Sequence, residues 1–266
     1  MPHSAFEHLR SHPVPALRVE FQEYRHRATG ARHLHLAADD PHNAFMVAFL
    51  TVPQDSSGIA HILEHTALCG SRRYPVRDPF FMMIRRSLNT FMNAFTSSDW
   101  TAYPFASQNK KDFNNLLDVY LDAAFFPLLD DATSRPGRPP AGNSPSRRPP
   151  LGTAVQGCLV FNEMKGAMSS PVQRLGQELQ HRLFPTITYH YNNGSDPEAI
   201  PYLAHEQLKA FHARHYHPLE CHLSDLRRHS RRRTSATFRG ASAQSFPGAV
   251  PGLGHSRRAP LPHAAR

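Results

Sequence analysis

The chain has few cysteines and no long apolar segment. Its three cysteines, Cys69, Cys158 and Cys221, lie at unrelated spacings in 266 residues, so the sequence predicts no disulfide framework. No apolar run reaches the length that a transmembrane helix needs. The first 15 residues lack a signal-peptide core, and they lack the character of a transit peptide because Glu7 interrupts a stretch with little serine. The sequence therefore favours a cytoplasmic bacterial protein without membrane partners, with the mitochondrial matrix as the alternative.

Acidic residues are also scarce relative to basic ones. The chain has 21 Asp and Glu against 30 Lys and Arg, a formal net charge of +9, and such an excess can indicate nucleic-acid binding. The excess is confined to two segments, however. Residues 132–155 hold four Arg and no acidic residue, and residues 224–266 hold nine Arg and one Asp. The sequence therefore predicts no nucleic-acid partner, and a binder that works through the Arg-rich tail is the least favoured function.

These two segments also differ in composition from the rest of the chain. Residues 132–155 contain six Pro and three Gly, and neither segment has apolar periodicity, which is typical of disorder. The abrupt change favours coding sequence read out of frame, and a genuine linker and tail is the alternative. The sequence thus predicts one domain over 1–131 and 156–220, a disordered insert at 132–155 and a disordered tail at 221–266.

The segment His61-Ile62-Leu63-Glu64-His65 has the spacing H-x-x-E-H, the inverse of the H-E-x-x-H zinc-protease motif. Each helical residue turns by about 100°, so His61 and His65 point the same way and Glu64 lies on the same side. Two neutral imidazoles suit Zn²⁺, and the carboxylate suits a general base. The alternative is a helix end with two surface histidines. The turn at Asp55–Gly58 and the apolar residues after it favour zinc.

A catalytic zinc ion needs a third protein ligand from elsewhere in the fold. Glu163 is the candidate, because it follows the apolar run Leu159–Phe161 and a buried carboxylate is costly unless it is paired or bound to metal. From these residues alone, pairing of Glu163 with Lys165, or capping of a neighbouring element by Glu163, explains the pattern equally well.

Periodicity along the chain predicts strands followed by helices. Alternating and continuous apolar runs predict strands at 17–22, 44–50 and 93–105. Helical spacing predicts helices at 57–70, 75–92, 109–126, 157–168, 171–184 and 204–216. We therefore expect an α+β domain with a sheet layer and a helix layer.

The motif and its surroundings resemble the presequence protease branch of the pitrilysin (insulinase) family of zinc metallopeptidases. The resemblance covers about residues 5–131 and 156–219. Its segments occur in family order, which is far more specific than the pentapeptide. They are Gly58–Ser71, Tyr74–Met83, Ser87–Phe105, Leu121–Pro127, Phe161–Ala167 and Phe211–Pro218.

The resemblance implies a role for each residue of the metal site. His61, His65 and Glu163 correspond to the ligands of one zinc ion per chain, and Glu64 corresponds to the catalytic base. It also implies an incomplete two-layer α+β domain of the pitrilysin and mitochondrial-processing-peptidase type.

The resemblance further implies a peptide-binding surface. In the family a peptide adds to an edge strand through main-chain hydrogen bonds. The residues that correspond to that edge are Asn93, Ala94, Phe95 and Thr96. An apolar pocket near the scissile bond corresponds to three further residues, for which an ordinary core role is the alternative. These are Leu68, Phe80 and Phe81.

Enzymes of the family are several times longer and have four similar domains in two halves, so the resemblance implies that the C-terminal half is missing here. The function expected from the sequence is a zinc-dependent metalloendopeptidase of short unstructured peptides, in a truncated form of low or no activity. The alternative is a non-catalytic remnant that binds zinc.

Overall fold

A mixed β-sheet with helices packed on it forms the protein, according to a computed structural model that describes residues 4–76, 78–129 and 159–227. The strands are β1 Phe6–Val14, β2 Val19–His26, β3 Arg32–Ala38, β4 Asn43–Leu50, β5 Asn89–Met92, β6 Phe95–Thr96, β7 Trp100–Ser107 and β8 Cys221–Arg227. The helices are α1 Ile59–Ala67, α2 Pro79–Arg86, α3 Lys110–Phe125, α4 Leu159–Ala167, α5 Pro171–Leu183 and α6 His205–His215.

The strands follow the order β1-β2-β3-β8-β4-β7-β5, and β6 pairs with β7 next to β5. Only the β3–β8 pair is parallel among the described strands. Because β5 and β6 pair with β7 alone, their outer side is a free edge of the described sheet. The edge lies beside α1, because Thr96 of β6 donates a hydrogen bond to Glu64 of that helix.

The core lies between one face of the sheet and the helices. Alternate residues of β4, among them Phe45 and Phe49, are almost fully buried, as the period of two in a half-buried strand requires. Phe49 stacks on Tyr216 at 4.3 Å between ring centroids, and Phe105 of β7 lies 5.1 Å from Phe113 of α3. The α+β class predicted from the sequence is confirmed.

Two of the predicted elements around residue 90 are wrong in extent. The helix expected over 75–92 is only α2, because Ser87 has an extended backbone with ψ 165° and the chain then forms β5. The strand expected over 93–105 is divided by a turn in which Ser97 N donates to Trp100 O at 2.8 Å. Apolar residues line both halves of the 75–92 segment, so spacing alone did not reveal the change from helix to edge strand.

Strand β8 corrects the expected start of the tail at residue 221. Residues 221–227 lie in the middle of the sheet, parallel to β3 and antiparallel to β4. Their burial alternates, with Cys221, Leu223, Asp225 and Arg227 buried. The charged members of this strand obscured its alternation in the sequence, because Asp225 is held by His33 and His35, which are distant in the chain, as well as by Arg227. The predicted insert at 132–155 and the remainder of the tail lie outside the described residues.

Helix α5 is the least buried of the described α-helices. It buries none of its residues, and its apolar side chains at helical spacing are all solvent-exposed. They are Val172, Leu175, Leu179 and Leu183. None of the described helices combines the length and apolar character required to traverse a bilayer.

Candidate active site

Helix α1 presents both histidines of the motif on one side, as the i, i+4 spacing predicts. His61 Nε2 and His65 Nε2 are 3.2 Å apart. The His61 side chain is 12% exposed and that of His65 is 30% exposed. Burial lowers the pKa of His65, with a smaller contribution from His61, which favours the neutral imidazole that a metal ion binds.

Glu163 of α4 is the third member of the cluster. Its Oε2 lies 4.0 Å from His61 Nε2 and 3.9 Å from His65 Nε2, and these three residues form the only candidate metal-binding group within the described part of the chain. Tetrahedral zinc with bonds of about 2.0–2.1 Å places neighbouring ligand atoms about 3.4 Å apart. The two nitrogens fit this geometry, and a small rotation of the carboxylate would complete it.

Glu163 is not buried as the sequence suggested. Its side chain is 52% exposed, whereas Val160 on the same helix is fully buried. The apolar residues of α4 hold the helix on the domain, and Glu163 lies on the open side facing the histidines. Among the ion pairs of the described residues, Glu163 pairs with the two histidines and not with Lys165.

Glu64 lies on the inner side of α1, where it is 6% exposed. Its Oε2 accepts a hydrogen bond of 2.6 Å from the Thr96 hydroxyl on β6. Burial raises the pKa of Glu64, and the bond from Thr96 and the nearby His61 oppose that rise. A carboxylate with a raised pKa accepts and returns a proton more readily near neutral pH.

The structure adds two contacts that sequence reasoning missed. Thr96 was expected only as part of the edge strand, and no motif in the sequence indicates its hydrogen bond to Glu64. The carbonyl oxygen of Gly194 lies 2.7 Å from His61 Nδ1. A backbone carbonyl 133 residues from the histidine leaves no signal in a single sequence.

The expected edge residues lie at an outer side of the described sheet. Asn93 and Ala94 connect β5 to β6, Asn93 N donates to Pro104 O at 3.1 Å, and Phe95 opens β6. The outer side of this segment has no strand beside it among the described residues. The edge could therefore accept another extended chain next to the metal cluster.

A cavity of about 300 Å³ adjoins the cluster on the side of α2. Glu64 and His65 form its polar wall, and most of the other lining residues are apolar. Besides Glu64 and His65, five of the residues singled out in the sequence line the cavity: Leu68, Phe80, Phe81, Asn93 and Ala94. Phe95 stacks on Phe91 instead, with ring centroids 6.4 Å apart, so it does not share the cavity.

Several known proteins are similar to this chain in sequence. The family model "Insulinase (Peptidase family M16)" matches residues 51–136. The mitochondrial presequence proteases of Mus musculus, Danio rerio and Gibberella zeae are 52%, 54% and 46% identical over 77%, 77% and 80% of this chain. These alignments cover 20%, 20% and 21% of the relatives, so the chain spans about one fifth of their length.

The fold has a counterpart among solved structures as well. The crystal structure of pitrilysin matches with a TM-score of 0.66 and 18% sequence identity, over 90% of this chain and 25% of that one. That identity supports the likeness of the fold alone, whereas the identities to the presequence proteases extend over more than three quarters of this chain. The chain therefore belongs to the insulinase family of peptidases, on the branch of the presequence proteases.

Proposed function

We propose that this domain is the catalytic part of a zinc-dependent metalloendopeptidase, with one zinc ion held by His61, His65 and Glu163. One observation carries the proposal: the two imidazole nitrogens lie 3.2 Å apart, and the Glu163 carboxylate lies within 4.0 Å of both. The buried Glu64 carboxylate stands beside this group. Neutral histidines and one carboxylate are a common donor set for catalytic zinc.

Each residue then has a defined task in peptide hydrolysis. Zinc, when bound, lowers the pKa of water and polarises the scissile carbonyl. Glu64 accepts a proton from the attacking water and delivers it to the leaving amine. Thr96 fixes the Glu64 carboxylate through its 2.6 Å hydrogen bond to Oε2, which leaves Oε1 to accept the proton.

The free edge and the cavity support an extended peptide as substrate. An added strand would bond to the backbone of residues 93–96, and an apolar side chain would enter the cavity beside Leu68, Phe80 and Phe81. Only a chain without stable structure can offer its backbone in this way. We therefore propose short unstructured peptides as substrates.

The share of the relatives that this chain spans favours a second candidate. The chain corresponds to about one fifth of the length of these relatives. It could therefore bind zinc and yet lack groups that bind the substrate. The second candidate is therefore a non-catalytic zinc-binding domain.

The names of the relatives bear on the cellular compartment of this protein. The three presequence proteases compared above are mitochondrial by name. They support the mitochondrial matrix, the alternative in the sequence analysis, over the expected bacterial cytoplasm, and we propose the matrix.

A fluorogenic peptide assay with and without a zinc chelator tests the function. Glu64→Gln should retain zinc and lose turnover by a factor of about 100 or more, because general-base catalysis contributes at least that much. Glu206→Gln is the matched control, since that side chain is 75% exposed on α6. Zinc binding without cleavage by the parent chain would favour the non-catalytic domain. An absence of stoichiometric zinc would refute both candidates.

A further inference from the structure

We propose that the loop Asn192–Asp196 positions the metal site by fixing the orientation and tautomer of His61. The inference rests on the proposed function, because it assigns the loop a role toward the same zinc ion. No motif in the sequence marks this loop. Its role follows from the contacts that it makes with the elements around the cluster.

The contact with His61 determines which ring nitrogen carries the proton. His61 Nδ1 lies 2.7 Å from the carbonyl oxygen of Gly194. A carbonyl can only accept a hydrogen bond, so Nδ1 must be the protonated nitrogen. The neutral ring then has its lone pair on Nε2, the atom that faces His65 at 3.2 Å. The loop therefore holds His61 in the form that can bind a metal ion.

Hydrogen bonds from the segment before α1 hold the loop in place. Asn192 N donates to the Ser56 hydroxyl at 3.1 Å, and Asp196 N donates to Ser56 O at 2.8 Å. Within the loop, Asn192 Nδ2 donates to Ser195 O at 3.0 Å. Asn192 is 7% exposed, so water cannot easily replace these bonds. The position of the Gly194 carbonyl is thus set by Asn192 and Ser56.

The start of α1 is shaped to receive this loop. Gly58, the residue before the helix, has φ +66°, and a Cβ added to it would lie 1.7 Å from Ser195 Oγ and 2.7 Å from Ser195 Cα. Only glycine allows this approach of the two backbones. The short distance between loop and helix is what brings the Gly194 carbonyl within reach of His61.

The same loop contacts the helix that carries the third ligand. A Cβ on Gly194 would lie 2.9 Å from the Met164 methyl group, and Met164 is the neighbour of Glu163. The loop therefore lies against both α1 and α4. A displacement of the loop would disturb His61 and the position of Glu163 together.

The tautomer of His61 can be measured directly on the whole chain. Long-range nitrogen–proton NMR spectra of the metal-free protein, at a pH where the ring is neutral, should show His61 with the proton on Nδ1. A proton on Nε2 would overturn the inference. This measurement needs neither zinc nor activity, so it remains decisive if the proposed function fails.

Zinc affinity tests the loop itself. We expect Asn192→Ala to raise the zinc dissociation constant by about 10- to 100-fold, the usual effect of removing support around a metal ligand. Competition with a chromophoric chelator measures it, and the spectrum of bound Co²⁺ reports the altered geometry. Ser56→Ala should act in the same direction and serves as the second variant should Asn192→Ala fail to fold.

The matched control is Ser169→Ala, which deletes an exposed hydroxyl that donates to Gly166 O near α4 but does not touch the loop. It should bind zinc with the affinity of the parent. If the parent binds zinc and the folded Asn192 and Ser56 variants bind it equally well, the loop has no positioning role. If the parent binds no zinc, the proposed function fails, and the NMR measurement alone decides the orientation of His61.

Discussion

Replacing Asp225 tests how β8 is held in the centre of the sheet. Asp225 is 3% exposed, and its Oδ1 accepts hydrogen bonds from His33 Nε2 at 2.7 Å and His35 Nδ1 at 3.0 Å. Arg227 Nε lies 3.2 Å from its Oδ2. Burial would raise the pKa of Asp225, but the bonds from the two histidines outweigh it and hold the pKa well below its usual range.

The contacts of Asp225 set the loss of unfolding free energy expected for Asp225→Asn. Asp225→Asn keeps the shape of the side chain, removes the negative charge and places an amide opposite Arg227, whose side chain is 7% exposed. Removing one partner of a buried ion pair costs about 3–5 kcal/mol. With a urea slope of about 2 kcal/mol per M, the midpoint of unfolding falls by about 2 M.

Urea unfolding followed by tryptophan fluorescence is the assay. The chain has a single tryptophan, Trp100, which pairs with Leu50 of β4 and so reports on the strand next to β8. Asp40→Asn is the matched control, because Asp40 also lies 2.7 Å from a histidine, His42, but on the surface. Exposed pairs contribute little, so its midpoint should stay near that of the parent. Equal midpoints for Asp225→Asn and the parent would refute the reasoning.

The pH dependence of the same variant follows from the sign of the shift. Because the pKa of Asp225 is lowered on folding, its contribution is complete above the unfolded value of about 3.9 and is lost as the pH falls below it. Each pH unit below that value removes about 1.4 kcal/mol. The difference in unfolding free energy between parent and Asp225→Asn should therefore narrow between about pH 4 and pH 2. A constant difference over that range would contradict the assignment.

Two further outcomes follow from local features. Ser195 has φ 109°, a backbone conformation that favours glycine, and its buried hydroxyl has no hydrogen-bond partner among the described residues. Ser195→Gly should therefore raise the free energy of unfolding by about 1 kcal/mol. A lower midpoint of urea unfolding would contradict this. Helix α5 buries no residue, so its amides should exchange with deuterium far faster than those of α3, which is mostly buried. Comparable protection of α5 and α3 would mean that something covers α5.

Local spacing was enough to predict much of this domain. The helices at 109–126 and 204–216 were predicted within a residue or two of α3 and α6, because a regular apolar stripe is a property of neighbouring residues. Such patterns do not predict the order of the strands in the sheet. Insertion of β8 between β3 and β4 depends on the hydrogen bonds from His33 and His35 to Asp225, which is about 190 residues away and meets them only in the folded sheet.

The candidate site likewise combines features that the sequence predicts with features that only the folded structure determines. The sequence by itself determined that His61, Glu64 and His65 share one side of a helix, because 3.6 residues per turn impose it. Only the tertiary structure decided that Glu163 approaches within 4.0 Å of both rings and that the Gly194 carbonyl fixes His61. These contacts join segments about 100 or more residues apart. Their distance is set by how α1, α4 and the loop pack, and no short-range pattern encodes it.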